Sequence, residues 1–239
     1  MKNFIAFTCA AIFCSSCYTG WNGDSYTGNG NVRTETRNVG NFSGIKTSGS
    51  IDLEISSGEA YSVTVEDDEN ILPLVITKVE NGTLNVYYKS NTSISDDNAK
   101  VYIKAPSLDK IVSSGSANIT ITDVIKNDRQ IEISVSGSGD IKGGVDAPKI
   151  YASIGGSGNV SLDGRTKDFD GKVSGSGNLD CGGLHSENAD VSVSGSGNAH
   201  VFASVSLKAH ASGSGDVYYS GNPGSPEIHT SGSGSVQPE

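Results

Sequence analysis

The residues of this chain that could carry acid–base chemistry lie mainly in one short charged stretch. It holds Asp163, Arg165, Lys167, Asp168 and Asp170. Polysaccharide hydrolases need paired carboxylates around one bond, and lyases need a base beside a charge-stabilising group. Closeness in sequence does not create such a site, and an exposed charged loop is the simpler interpretation. We therefore expect no catalytic residues and no enzyme activity.

Patterns for metals and cofactors are equally weak. The four histidines, His185, His200, His210 and His229, lack the close spacing of a zinc site. Ca²⁺ prefers several carboxylates among about six to eight oxygen ligands, whereas most of the repeated Asn/Asp positions described below hold neutral Asn. The acidic run 66–69 is typical of a solvated loop. The sequence predicts no metal and no cofactor.

The overall charge argues against nucleic-acid partners. The 239 residues carry a formal net charge of −10, and an acidic surface repels a phosphate backbone. Basic residues do not cluster, and no Gly-Lys-Ser/Thr phosphate loop leads into a helix. Solubility is the main consequence of this acidity.

The second half of the chain is organised by a repeat of the type Ser-Gly-Ser-Gly-Asn/Asp. Its leading glycine returns every 18 to 22 residues, a regularity that a disordered Gly/Ser tract would not keep. We interpret these motifs as corners of a coil. The corner glycines are Gly115, Gly137, Gly139, Gly156, Gly158, Gly175, Gly177, Gly195, Gly197, Gly213, Gly215 and Gly232.

The segments beside the corners alternate apolar and polar residues, which indicates strands with one buried face. Before one corner, for example, Ile131, Ile133 and Val135 alternate with polar residues. An antiparallel meander would need a reversing turn after every strand, whereas stacked coils explain one recurring corner per repeat. The predicted fold is all-β: one continuous parallel β-solenoid (β-helix) of roughly 19-residue coils, with right-handed winding expected.

The last residue of each corner motif suggests a second regularity. Asn or Asp stands at positions 118, 140, 159, 178, 198 and 216. Stacked coils would place these side chains about 4.8 Å apart, close enough to form a ladder.

Composition divides the chain into four parts. Residues 1–17 are a predicted signal peptide, and 18–31 read as a flexible Gly/Asn/Ser tether. Residues 32–126 form a less regular solenoid part, and 127–239 form the regular one. Within the former, 71–79 could be a short helix or a strand kinked at Pro73, and Asn81-Gly82 is a strong turn signal.

The export signal ends in a distinctive cysteine. After the apolar stretch 4–13, Cys14-Ser15-Ser16-Cys17 resembles a bacterial lipobox, although Cys14 stands where leucine is usual. Cys17 would then be the acylated first residue of the mature chain, leaving Cys181 as the only thiol. Ordinary cleavage and a false signal are the alternatives, and without acylation Cys17 could pair with Cys181.

Several segments together resemble a known family. The Ser-Gly-Ser segment within 42–55, the turn at 80–84, Ala105-Pro106-Ser107-Leu108 and the recurring corners are similar to the auto-transporter adhesin head domain, also called the head GIN domain. The resemblance covers roughly residues 40–235. It implies a β-helical fold, export in bacteria and an adhesin role, and it supplies no catalytic motif.

These observations favour a non-catalytic lipoprotein of the outer membrane, facing the periplasm or the cell surface. The expected partners are the membrane, through the lipid anchor, and a glycan or protein bound on the solenoid faces. One alternative is a carbohydrate-active enzyme built on a β-helix. Another is a self-assembling envelope scaffold, a homo-oligomer formed through the solenoid ends.

Overall fold

The computed structural model describes residues 23–95 and 98–239, so the predicted signal peptide and Cys17 lie outside the described residues. Within that part, the protein is almost entirely β-structure, with one 3₁₀ turn at Leu72–Leu74. No helix among the described residues is long and apolar enough to cross a bilayer. The predicted all-β class is confirmed.

The N-terminal strands are short. They are β1 Asp24–Thr27, β2 Val32–Arg37, β3 Gly44–Gly49, β4 Asp52–Ser57, β5 Ser62–Asp68, β6 Val75–Glu80, β7 Thr83–Tyr88, β8 Thr92–Ser95 and β9 Lys100–Ala105. The segment 71–79 is thus neither one helix nor one strand: Pro73 sits in the 3₁₀ turn, and β6 follows. The β6–β7 hairpin turns at Asn81 and Gly82, both with positive φ, as the sequence predicts.

The remaining strands build the regular coils. They are β10 Lys110–Gly115, β11 Ile119–Lys126, β12 Gln130–Gly137, β13 Ile141–Gly156, β14 Val160–Gly175, β15 Leu179–Cys181, β16 Leu184–Gly195, β17 Ala199–Ala203, β18 Ser206–Gly213, β19 Val217–Gly221, β20 Glu227–Gly232 and β21 Val236–Pro238. All ladders among them are parallel. Coils of about 20 residues therefore stack into the predicted β-solenoid.

Each full coil has three sides. The first side runs into the Gly corner and stacks in register, so that Ile133 lies beside Ala152 of the next coil. The second side follows the corner, where Ile141 lies beside Val160. The third side is shorter and pairs Val145 with Gly164. Because the coils are parallel and in register, equivalent side chains form columns along the axis.

Chain order and spatial order differ at the N-terminal end. Strands β3 and β4 form a coil that pairs in parallel with β10 and β11 on one side and with β7 and β9 on the other. Residues 58–109 therefore leave the stack, build the coil below β3 and β4, and return above it. Strands β2, β5 and β6 pair antiparallel at this end, so the less regular part is not purely parallel.

The described portion of the predicted tether, residues 23–31, contains a paired strand. Strand β1 pairs in parallel with β8, and Asn29 and Asn31 both donate to Glu69 Oε1, at 3.3 and 3.2 Å. A Gly/Asn-rich composition is typical of flexible linkers, but here backbone pairing and these amide contacts order it.

The core is a narrow aliphatic column inside the coils. Ile, Val, Leu and Ala fill the inward positions of all three sides, and Ile45, Ile111, Ile131 and Ile133 are fully buried. Full burial of such a side chain contributes roughly 1.5–3 kcal/mol. The column holds the outward strand faces rigidly, and these faces carry the candidate sites.

Candidate functional site on the first side of the solenoid

The corner glycines lie one above another along the axis. The first glycine of each motif has positive φ, for example +144° at Gly156 and +130° at Gly175. The carbonyl oxygen of Gly156 accepts hydrogen bonds from the amides of Ser176 and Gly177 in the next coil, at 2.9 and 3.1 Å. A Cβ on Gly175 would overlap this oxygen. The corner thus needs glycine for both its φ and its close stacking.

The Asn/Asp positions after the corners form a hydrogen-bonded ladder. The backbone N–H and the Nδ2 of Asn159 both donate to Oδ1 of Asp140 at 2.8 Å. Asn178 repeats this arrangement on Asn159 at 3.1 Å, and Ser235 donates to Asp216 at 2.7 and 2.8 Å. The ladder satisfies backbone amides at the corner, so its role here is structural.

The outward face of the first side carries a more varied set of side chains. We call it the first-side face and define it by the outward residues of β12, β13, β14, β16 and β18 on that side. Strict register places Glu132, Tyr151 and Asp170 in one column. Ser134, Ser153 and Lys172 form the next column. Such columns present repeated contacts to an extended ligand.

Tyr151 is an aromatic member of this face, on β13. The Nζ of Lys149 sits 4.5 Å from the centroid of its ring, a cation–π geometry. Interaction with the Tyr151 side chain raises the pKa of the Lys149 ammonium group above its ordinary value. Lys149 is therefore charged at neutral pH and holds one face of the phenol ring.

Two shallow pockets lie on this face. One, of about 340 Å³, is lined by Tyr151 together with Glu132, Ser153 and Lys172. The other, of about 270 Å³, includes Lys149, Asp168, Asn188 and Lys208 among its lining residues. Asp170 lines both pockets. Aromatic, cationic, anionic and hydroxyl groups thus alternate within a few coils, a combination suited to hydrogen-bonding a polar ligand and covering an apolar part of it.

Local hydrogen bonds restrain this face. Ser153 donates to Ser134 at 3.0 Å across adjacent coils. The Nδ2 of Asn188 donates to Asp168 at 2.9 Å, and Ser206 donates to Asn188 at 2.7 Å. Groups held by such contacts lose little rotamer freedom on binding, which favours affinity.

The structure separates the residues of the charged stretch. Arg165 and Lys167 lie on the third side, while Asp168 and Asp170 lie on the first-side face. Asp163 sits before Gly164, between the second and third sides. The five residues therefore do not converge on one site, because the chain turns a corner within the stretch.

The histidines are also spread over the three sides. His185 is on the third side, and His200 is on the second, stacked on Tyr218 with ring centroids 4.7 Å apart. His210 and His229 are neighbours on the first side, with ring centroids 6.4 Å apart. Among residues 23–95 and 98–239, no group of three or more His, Cys, Asp and Glu side chains could hold a metal ion.

The acidic run 66–69 is not the solvated loop that its composition suggests. Its first three residues end β5, and Asp67 and Asp68 are only 2% and 7% exposed, whereas Glu69 follows the strand and is exposed. The pairing of β2 with β5 covers this strand end. Arg33 Nε lies 2.8 Å from Oε2 of Glu69, and this hydrogen bond is the main cause of the lowered pKa of Glu69.

Sequence reasoning did not single out Tyr151 or Lys149. The signal was present: in the alternation of Ile150, Ala152 and Ile154, Tyr151 is an aromatic residue at an outward position. Tyr151 is half-buried and is not among the residues that pack against the core, so packing does not explain an aromatic residue at this position.

Comparison with known proteins agrees with this architecture. The sequence model of one family, described as "Putative auto-transporter adhesin, head GIN domain", matches residues 41–223. The chain belongs to the head GIN domain family. No curated protein matches it.

Solved structures show the same fold for this head GIN domain. A putative adhesin from Bacteroides fragilis superposes with a TM-score of 0.83 at 22% identity, covering 90% of this chain and 100% of that one. A putative lipid binding protein from Parabacteroides distasonis superposes with a TM-score of 0.72 at 23% identity, covering 90% of this chain and 100% of that one. A putative adhesin from Parabacteroides merdae superposes with a TM-score of 0.69 at 22% identity, covering 91% of this chain and 100% of that one. At such identities the likeness concerns the fold alone.

Proposed function

We propose that this head GIN domain is a non-catalytic binding module of the bacterial cell envelope, tethered through acylated Cys17, and that the first-side face is its contact surface. The adhesin description of the family supports a binding role and an exported location. The lipobox-like Cys14-Ser15-Ser16-Cys17 supports the anchor.

The position of Tyr151 is the reason for choosing the first-side face as the contact surface. Tyr151 lines one of the two pockets on this face, and Lys149, which lies over its ring, lines the other. Neighbouring side chains of the face are hydrogen-bonded to one another. Aromatic anchors in a polar surround dominate binding energy at many interfaces. Because the coils stack in register, a polymer lying along the axis would contact several coils at once, and weak contacts would add up. We therefore propose an extended polar ligand, a glycan or a protein segment.

Binding of the purified full chain to an immobilised panel of neutral and charged glycans and of proteins tests this role. We expect at least one ligand whose binding falls about tenfold or more in Tyr151→Ala. The matched control is Tyr218→Ala, which removes an aromatic side chain from the second side and should leave this binding unchanged.

Two results would contradict the proposal. Equal loss of binding in Tyr151→Ala and Tyr218→Ala would show that the first-side face is not the contact surface. Sustained turnover of a glycan that is abolished by Asp168→Ala would instead support the carbohydrate-active enzyme.

A further inference from the structure

The third side of the solenoid bears a groove that the proposed function does not use. We call it the third-side groove; it has a volume of about 530 Å³ and is lined by residues of 146–148, 165–167 and 185–187, together with Phe202 and Ser204. These segments come from four successive coils, so the groove runs along the axis. Its size lies within the usual range of small-ligand sites.

The floor of the groove is rigid and internally satisfied. Thr166 and Ser186 are 8% and 2% exposed. Thr166 Oγ1 lies 3.2 Å from the carbonyl oxygen of Pro148, and the Ser186 hydroxyl donates to the carbonyl oxygen of Phe202. Ser204 Oγ donates to the carbonyl oxygen of Ser186 at 3.1 Å. A ligand would therefore be recognised by the walls of the groove.

One part of the lining is aromatic. The rings of His185 and Phe202 meet edge to face, with centroids 4.6 Å apart and an interplanar angle of 70°. Phe202 is half-buried, and His185 is exposed. The pair offers an apolar surface to the C–H groups of a ligand, and the imidazole adds a polar edge.

Charged hydrogen-bonding groups line the groove beside this pair, since the register places Arg165 between Asp146 and His185 on adjacent coils. Arg165 and Asp146 form an ion pair at 3.2 Å, with the Arg165 side chain 78% exposed. Lys167 and Glu187 are exposed on adjacent coils, and no ion pair within 4.0 Å joins either of them to another described residue. The guanidinium and ammonium groups can therefore donate hydrogen bonds to the hydroxyls of a ligand, and the carboxylates can accept hydrogen bonds from them.

The charge balance selects among ligand classes. Arg165 and Lys167 are offset by Asp146 and Glu187, so the groove has no net charge to attract an ion. The whole chain carries −10, and its field repels anions. An apolar ligand would leave the charged groups desolvated without partners, which is costly. A neutral ring with one apolar face and several hydroxyls can contact both the aromatic pair and the charged groups.

We propose that the third-side groove binds a neutral pyranose sugar, as a free monosaccharide or as one residue of a glycan. The ring's C–H face packs on Phe202 and His185. Glu187 and Asp146 accept hydrogen bonds from sugar hydroxyls, while Lys167 and Arg165 donate hydrogen bonds to them. This site is separate from the first-side face, and either can exist without the other.

Saturation-transfer NMR on the full chain tests this site with glucose, galactose, mannose, N-acetylglucosamine and glucuronic acid as probes. We expect at least one neutral sugar to bind with a Kd below about 10 mM and glucuronic acid to bind more weakly. Glu187→Gln and Lys167→Ala change exposed groups without altering the core. Each should weaken the binding of that sugar about tenfold. Phe202→Ala should do the same.

Tyr218→Ala is the matched control, since it removes an aromatic side chain from the second side and should not change sugar binding. The proposal is overturned if no neutral sugar binds, if glucuronic acid binds best, or if the groove variants bind like the parent chain. A sugar signal lost in Tyr151→Ala but kept in Glu187→Gln would assign the sugar to the first-side face instead.

Discussion

The amide and side-chain nitrogens of Asn159 both donate to one carboxylate oxygen of Asp140, which lies in the coil before it. The same contact recurs between Asn178 and Asn159 and, with a longer side-chain bond of 3.5 Å, between Asn198 and Asn178. Each of these side chains therefore accepts a hydrogen bond from a backbone amide of the next coil. Replacing one of them alters the hydrogen bonds of two coils.

Replacing Asn178 by Ala should therefore destabilise the protein measurably. The change removes the acceptor for the Asn198 amide and the donor to Asn159. We expect a loss of about 1 kcal/mol, seen as a lower urea midpoint. Ser176→Ala is the control, because its exposed hydroxyl makes no side-chain hydrogen bond within the described chain; a similar loss there would argue against the ladder.

Gly175→Ala should be far more damaging. The residue has φ +130°, and its Cβ would overlap the carbonyl oxygen of Gly156. We expect a loss of more than about 3 kcal/mol or failure to fold, measured by circular dichroism and urea unfolding. Gly182→Ala is the matched control, since its Cβ would have no neighbour closer than 4.0 Å. Comparable stability of the two variants would refute close corner stacking.

The ionisation of Asp216 should make the stability of the last coil depend on pH. Hydrogen bonds from the side chain and amide of Ser235 lower the pKa of Asp216 below 3.8. A lowered pKa means that the ionised form stabilises the fold above pH 3.8 and that this contribution is lost as the pH falls through the folded-state pKa. Carbonyl ¹³C titration should show the pKa rising in Ser235→Ala. Ser233→Ala should leave it unchanged, and an unmoved pKa in both variants would contradict this account.

Cys181 should be inert in the folded protein. It is 1% exposed, beside Val201 in the core, and burial raises the pKa of its thiol. Thiolate is the reactive form, so alkylation mapped by mass spectrometry should be slow in buffer and fast in denaturing urea. The same burial disfavours the alternative disulfide with Cys17. Rapid labelling of Cys181 in the native protein would place it at the surface.

Acylation at Cys17 predicts membrane attachment that depends on this residue. Cys17→Ser should move the protein from the detergent phase to the aqueous phase of a Triton X-114 partition after expression in a Gram-negative host. Cys14→Leu restores the usual lipobox residue and should remain anchored. Detergent partitioning of Cys17→Ser equal to that of the parent would leave the lipid anchor without support.

Local chemistry was enough to predict the regular coils. Apolar alternation around Ile133 gives strands with one buried face, and a corner motif returning every 18 to 22 residues gives parallel stacking. Strand alternation and turn chemistry depend on neighbouring residues, and the repeat then places one such corner in every coil. The same information predicted the turn at Asn81 and Gly82 and the positions of the Asn/Asp ladder.

Long-range placement was decided only by the tertiary structure. Gly49 stacks directly on Gly115, although the whole segment 58–109 lies between these neighbouring coils. No local pattern encodes that pairing. The same holds for both candidate sites: Tyr151 meets Lys172, and Arg165 meets His185 and Phe202, only because coils stack in register. Sequence periodicity sets which side chains point outward, whereas the number of residues in each intervening loop sets which of them become neighbours.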